Sequence, residues 1–462
     1  MKIALINPPF EKLVFRCGYC SNFAKSNYYW PPIDLLVQSG FLQQGGHEVA
    51  VFDFNVMRTS REKAVENVRD FAPDGMFVLI GSGSWKSDIA FVEQLKQVVP
   101  RSRVVVGGAV LLYSSADFID RFPFVDGVLM DFTQDVLASF FGGDDGIPCM
   151  SVREGGKPVV RTPQWDHKLS FPPGRHELFP LDRYRNPHND KRFTVLLTSF
   201  GCQYSCTFCN ATDIPFRYRD VDEVMEELRY VYSLGIREIK FRDLNFVSKV
   251  SRTRELCEAL IVSGMKFGWH ATTRADTLNE DLLLLMKRAG CHSLHMGVES
   301  GSEELLQRYE KRSDLKRIKA SFLLCKKIGI RTLGTFIIGL PGETPVSIQK
   351  TIVFAKELKC DVASFNIATA LYGTELRREC LEKGYIEKTD GVDELDTCFK
   401  ASVIGTPQLS PEEVRVWHRR AMMSFYLRPG YIWNQLTNRN FSELAGLARM
   451  GMPVLREIFG GH

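Results

Sequence analysis

The 462-residue chain contains no run of about 18 consecutive apolar residues, so no membrane-spanning helix is predicted. Neither sign of charge is in excess: 59 basic and 55 acidic side chains leave a formal net charge of +4, too little to predict nucleic acid or an acidic membrane as a partner. No internal repeat or low-complexity tract appears. The opening Met1-Lys2-Ile3-Ala4-Leu5-Ile6 breaks at Asn7-Pro8-Pro9, too soon for a secretory leader, and reads as a buried first strand. These absences predict a cytoplasmic protein. A composition of 44% hydrophobic and 25% charged residues is that of a globular protein, and the length calls for two or three structural units.

Along the first 140 residues strand and helix patterns alternate. Strands are predicted at Lys2–Ile6, His47–Phe52, Gly75–Ile80, Arg103–Val106 and Gly127–Met130, with helices at 33–44, 61–71, 89–98 and 116–122. This alternation predicts a doubly wound parallel sheet, whose ligands bind beyond the carboxyl ends of the strands. Residues 141–190, rich in Gly, Pro, Asp and His and poor in periodicity, read as a linker. Six further β/α units over 191–376 predict a partial (β/α)6 barrel of the TIM type, with strands at 194–198, 237–241, 267–272, 293–297, 332–338 and 363–368. Residues 377–462 read as a mainly helical C-terminal domain, with Ser410-Pro411-Glu412-Glu413 as a helix start.

Most of the twelve cysteines are scattered in apolar surroundings, as buried free thiols would be. The exception is Cys202-x-x-x-Cys206-x-x-Cys209, just after the first barrel strand. Three thiolates on one short loop can hold three irons of a four-iron cluster and leave the fourth open to a substrate. Zinc is the alternative, but it wants four protein ligands, and no second C-x-x-C or H-x-x-x-H follows at a suitable distance. His270, His292 and His295 fall on other predicted strands, where core or surface roles are expected.

The C-x-x-x-C-x-x-C loop resembles that of the radical S-adenosylmethionine superfamily, and the likeness continues along the barrel. Phe241-Arg242-Asp243-Leu244-Asn245-Phe246 ends strand two, Arg274-Ala275-Asp276 follows strand three and Gly297-Val298-Glu299-Ser300-Gly301 ends strand four. Gly334–Thr344 covers strand five. The resemblance implies a [4Fe–4S] cluster on Cys202, Cys206 and Cys209 and reductive cleavage of S-adenosylmethionine to a 5′-deoxyadenosyl radical that abstracts hydrogen from a substrate carbon. It further implies that Asp243, Asn245, Arg274, Glu299, Ser300 and Gly339 contact S-adenosylmethionine, with Phe208 shielding the cluster or stacking near adenine. An external electron donor such as flavodoxin or ferredoxin is expected.

The pairing of the first domain with this barrel resembles the cobalamin-binding radical enzymes, through Asn7-Pro8-Pro9, Gly46-His47-Glu48-Val49 before Asp53, Gly81–Ser84 and Val104–Gly108. Gly81, Ser82, Ser84, Gly107 and Gly108 are expected to let a corrin approach the backbone, and Trp85 to lie beneath it, although a core tryptophan is the competing reading. Asp53-Phe54-Asn55-Val56-Met57-Arg58 lacks the histidine of D-x-H-x-x-G, which excludes a histidine-ligated cobalamin. The acidic stretch usual after strand five is replaced by Asp131-Phe132-Thr133-Gln134. Cys17-Gly18-Tyr19-Cys20 stands alone in an aromatic, basic loop without a second pair. The expected reaction is methyl transfer from methylcobalamin to a small-molecule or natural-product substrate. Radical oxidation, cyclisation or rearrangement is the alternative, and a non-catalytic redox sensor is a more distant one.

Overall fold

The computed structural model describes residues 1–24, 28–144, 146–166, 168–186, 189–388 and 404–437. Residues 389–403 and 438–462 of the C-terminal segment, read above as mainly helical, lie outside them.

Strand β1 (Lys2–Asn7) is apolar from Ile3 to Ile6 and buried there on both faces, as a central parallel strand must be. A hairpin of β2 (Val14–Cys17) and β3 (Cys20–Phe23) stands in the loop before α1 (Ile33–Gln44). There follow β4 (Glu48–Asp53), α2 (Phe54–Met57), α3 (Arg61–Phe71), β5 (Gly75–Leu79), α4 (Trp85–Val98) and β6 (Arg103–Gly107). The domain continues through α5 (Ser115–Arg121), β7 (Gly127–Leu129) and α6 (Leu137–Phe141) to β8 (Met150–Glu154) and β9 (Lys157–Val160). The sheet order is β4-β1-β5-β6-β7-β8-β9. The first five strands are parallel and the last two antiparallel. The stretch 141–190 is therefore not simply a linker: Met150–Val160 extends the first sheet, turning at Gly155-Gly156, both at positive φ. Chain order reverses between β1 and β5, which makes their carboxyl ends the switch point.

The second sheet is an open parallel arc, β10-β13-β14-β15-β16-β17. Its members are β10 (Phe193–Leu196), β13 (Glu238–Phe241), β14 (Gly268–Arg274), β15 (Cys291–Glu299), β16 (Arg331–Ile338) and β17 (Val362–Ile367); β11 (Ser199–Phe200) and β12 (Arg217–Tyr218) pair separately. Between them run α7 (Val221–Ser233), α8 (Val250–Val262), α9 (Glu280–Arg288), α10 (Glu303–Arg308), α11 (Leu315–Ile328) and α12 (Pro345–Glu357). The apolar stripe expected on α7 is the buried one: Val221, Val224, Met225, Leu228 and Val231. Alternate strand residues, among them Phe241, Trp269, Leu294 and Met296, join the helices in one core, and the intervening ones point to the opposite face. After α13 (Glu375–Glu382), helix α14 (Pro411–Tyr426) starts with a full Ser410–Glu413 capping box, as its sequence predicts. It precedes α15 (Pro429–Thr437).

The two sheets share a core. Leu5, Phe77 and Val105 of the first domain and Phe193, Val195 and Phe200 of the barrel belong to one buried cluster. Phe132 meets Phe200 edge-on across the boundary, with ring centroids 5.0 Å apart. Arg217 pairs with Asp131 at 2.9 Å, both buried, so the residues that replace the usual acidic stretch serve as a domain clasp.

Candidate active site

The cysteine loop leaves the barrel at Phe200 and returns at Arg217, its base closed by the β11–β12 pair. Gly201 makes the exit possible: its φ is +87°, and a Cβ there would lie 2.1 Å from the carbonyl oxygen of Pro215. Inside the loop the Cys209 amide donates to the Cys206 carbonyl and the Thr207 amide to that of Tyr309. The Ala211 amide points at the Cys209 sulfur, 3.4 Å away.

Cys206 is buried, and Cys202 and Cys209 are half-buried. Burial raises the Cys206 thiol and pushes the Cys209 thiol up to about 12, with Lys311 pulling both back down. Thiols so placed release their protons to a strong Lewis acid rather than to water. One zinc ion would draw its sulfurs to within about 4 Å of each other. The three sulfurs do not form such a group, since the donor group within 4.8 Å found among the described residues lies elsewhere. A wider, three-point anchorage is what a polynuclear cluster needs, and the loop fits one.

Residues expected from strands two to five divide into two sets. Arg274 lies at the cluster loop: its Nη1 is 4.0 Å from the Cys206 sulfur, and its guanidinium is 4.1 Å from the Tyr204 ring. Asp276 and Ser313 fix it, at 2.8 and 2.7 Å. Glu299, at φ +69°, reaches Lys311 at 3.0 Å. Asn245 accepts from the Thr273 hydroxyl and the Arg274 amide, and its own buried Nδ2 has no hydrogen-bond partner among the described residues. Phe208 stands edge-on to Tyr309 at 6.3 Å.

The second set turns inward. Both Asp243 oxygens are taken by the Thr198 amide and the hydroxyls of Thr198 and Ser199, which anchor the root of the cysteine loop. Ser300 is buried, its hydroxyl spent on Thr351 and the Ser302 amide. The space beside Gly339 is filled by Val414 of α14, 2.7 Å from where a Cβ would be. Sequence reasoning missed Lys311, a second buried cation whose charge acts on the thiols, because nothing local marks a lysine twelve residues beyond Glu299.

At the carboxyl edge of the first sheet the expected glycines are indeed indispensable, but to packing within the domain. A Cβ on Gly81 would meet Ser84 Oγ at 2.6 Å, on Gly107 the Phe77 ring at 2.7 Å, and on Gly108 the Ile80 carbonyl at 2.1 Å. Trp85 is a core residue, 4% exposed and tilted against Phe122. The hairpin drives Arg16 into the switch point, where it pairs with Asp88 at 2.7 Å and donates to Asn7. Asp88 also accepts from the Gly81 amide and Ser84, and the Ser82 amide donates to Ser21. Left half-buried at this edge are the Ser82-Gly83 turn and, after Gly108, Leu112 and Tyr113. Tyr113 crosses to the barrel, donating to Asp213 at 2.7 Å and packing on Gly373. His47, the domain's one histidine, sits beside the N-terminal amine at the opposite end of the strands. A corrin that rests on backbone, without an imidazole from this domain, fits such an edge.

A three-thiol loop over an open parallel barrel, clasped to a doubly wound domain, defines an iron–sulfur enzyme with a second cofactor platform. Residues 196–355 match the Radical SAM superfamily and residues 20–138 the B12 binding domain. An uncharacterized methyltransferase of Pyrococcus horikoshii is 27% identical over 446 residues, 93% of each chain. The fold matches the cobalamin-dependent S-adenosylmethionine radical enzyme OxsB, with a TM-score of 0.75 at 16% identity over 99% of this chain and 72% of that one. It also matches the radical S-adenosylmethionine methyltransferase TsrM of Kitasatospora setae, with a TM-score of 0.73 at 16% identity over 93% and 90%. The chain belongs to the radical S-adenosylmethionine enzymes that carry an N-terminal B12-binding domain. Its cofactors are accordingly a [4Fe–4S] cluster, S-adenosylmethionine and cobalamin.

Proposed function

We propose that the protein is a cobalamin-dependent radical methyltransferase acting on a carbon of a small-molecule or natural-product substrate. The observation that carries this is the placement of the cysteine loop and the B12-binding edge against each other over one shared core, bridged by Tyr113 and Asp213. When bound, the cofactors supply the electron that cleaves S-adenosylmethionine and the methyl group that is transferred.

This chain's own residues hold and orient. Cys202, Cys206 and Cys209 hold the cluster. Arg274, fixed by Asp276 and Ser313, and Lys311, held by Glu299, set positive charge beside the thiols where the carboxylate of S-adenosylmethionine binds. The orphan Nδ2 of Asn245 offers a further donor to the same group. Phe208 and Tyr309 wall the loop with apolar surface and keep water from a radical. The Ser82-Gly83 turn and the segment after Gly108 take the corrin. The enzyme draws electrons from an external donor such as flavodoxin or ferredoxin. No helix among the described residues is long and apolar enough to cross a membrane, and a reducing cytoplasm suits the open cluster.

The test is anaerobic reconstitution with iron, sulfide and cobalamin, followed by desalting and assay with a reductant. About four irons and one corrin per chain, with both S-adenosylhomocysteine and 5′-deoxyadenosine formed, are expected. Four irons with 5′-deoxyadenosine but no retained corrin would replace methyl transfer by oxidation, cyclisation or rearrangement. Iron held no better than by Cys206→Ala would overturn the radical reading itself.

A further inference from the structure

At the amino-terminal floor of the barrel, far along the strands from the cysteine loop, three neighbouring strands converge on a second set of metal-competent donors. Glu238 is the first residue of β13, His270 the third of β14 and His292 the second of β15. One donor atom from each lies within 4.8 Å of the other two. Glu238 and His270 are buried, and the His292 side chain is 30% exposed. We propose that Glu238, His270 and His292 form a binding site for a divalent transition-metal ion of the zinc class, separate from the iron–sulfur cluster.

Four features of the site support this. His292 Nε2 and Glu238 Oε1 already stand 2.5 Å apart. Zinc bonds of about 2.0–2.2 Å place neighbouring donors about 3.3–3.6 Å apart, so small side-chain rotations close the set around an ion. Room is made by Gly268: a Cβ there would lie 2.7 Å from Glu238 Oε2 and 3.4 Å from the His292 ring. The donors are also oriented from behind, as metal ligands are. Asn186 donates to Glu238 Oε1 at 2.9 Å and Asn189 to Oε2 at 3.3 Å, while the Tyr28 hydroxyl engages His270 Nε2 at 2.7 Å. Finally, two imidazoles and a carboxylate are a known open zinc set, with the remaining position for water, and the half-exposed His292 gives an entry path. Tyr28 comes from the first domain and Asn186 and Asn189 from the segment joining it to the barrel. An ion here would therefore pin three parts of the chain together without taking part in radical chemistry.

The test uses the full chain with Cys202, Cys206 and Cys209 changed to Ala, so that the cluster ligands cannot answer for the site. After stripping with a chelator, zinc is added in slight excess and the protein is desalted. One zinc per chain is expected, competing with a chromophoric chelator, and cobalt(II) in its place should give visible d–d bands. His292→Ala, its fold checked by far-UV circular dichroism and apo melting temperature, should weaken binding at least 100-fold. Glu238→Gln should do the same if it folds. Preferential retention of iron(II) over zinc would keep the site and change its ion. No metal retained, or metal retained equally by His292→Ala, would overturn the proposal.

Discussion

Replacing Asp88 by Asn should destabilise the first domain more than any surface change could. Arg16 and Asp88 are both wholly buried, and Asp88 accepts from Nε and Nη2 of the guanidinium, the Gly81 amide and the Ser84 hydroxyl. Asparagine keeps the volume but removes the charge and one of the two acceptor oxygens, leaving the buried Arg16 cation facing neutral oxygens such as those of Asn7 and Pro8. Breaking a buried pair from one side costs about 3–5 kcal/mol. At about 2–4 °C per kcal/mol for a unit of this size, the domain should melt roughly 6–20 °C lower. Hydrogen exchange of peptides from β1, β5 and α4, read by mass spectrometry on the full chain, isolates the effect from the barrel. A double replacement, Arg16→Met with Asp88→Leu, removes both charges and should recover most of the loss. A cost under about 1 kcal/mol for Asp88→Asn, or a double variant as unstable as the sum of its parts, would refute the assignment of the pair as the keystone of the switch point.

Three further outcomes are expected. Gly201→Ala, which combines a left-handed backbone worth about 1–3 kcal/mol of strain with a collision at Pro215, should empty the cysteine loop; iron and sulfide per chain measure it. Lys311→Met should weaken S-adenosylmethionine binding about tenfold, by about 1.4 kcal/mol, in anaerobic calorimetry, with iron content unchanged. Glu343, fully buried, has its carboxyl pushed up by burial to about 7, although the amides of Gly339 and Leu340 pull it down. A raised acid binds its proton more tightly folded than unfolded, so its contribution of about 3 kcal/mol is whole below the ordinary carboxylate range and lost as pH rises through 7. Thermal stability should fall between about pH 4.5 and 7, and Glu343→Gln should flatten that slope; a slope unchanged in the variant would reject the assignment.

Elements built on strong periodicity were legible in the sequence. The helices at 33–44 and 61–71, the buried face of α7 and the capped start of α14 follow from spacing and capping chemistry alone. The hairpin at Val14–Phe23 was not, because its alternation is masked by Arg16, a charged residue that faces inward to meet Asp88. The β8–β9 hairpin carried a Gly-Gly turn between valine-bearing runs, a signal submerged in the surrounding glycine and proline. At the site, local motifs pointed to the thiols and to Arg274, which folding brings within 4.0 Å of the Cys206 sulfur. They could not tell that Asp243, Ser300 and Gly339 are spent on Thr198, Thr351 and Val414, since those partners are 45 to 75 residues away and meet them only on folding. Lys311 was hidden for the same reason.

The barrel sheet stops at β17 without returning to β10. A closed cylinder would fix the bore, and with it the largest molecule that could enter. An unclosed arc instead leaves a slot whose width is set by whatever cladding stands alongside, here the first domain on one flank and α14 on the other. The radical-generating frame can thus stay constant while descendants exchange cladding to admit larger or smaller guests.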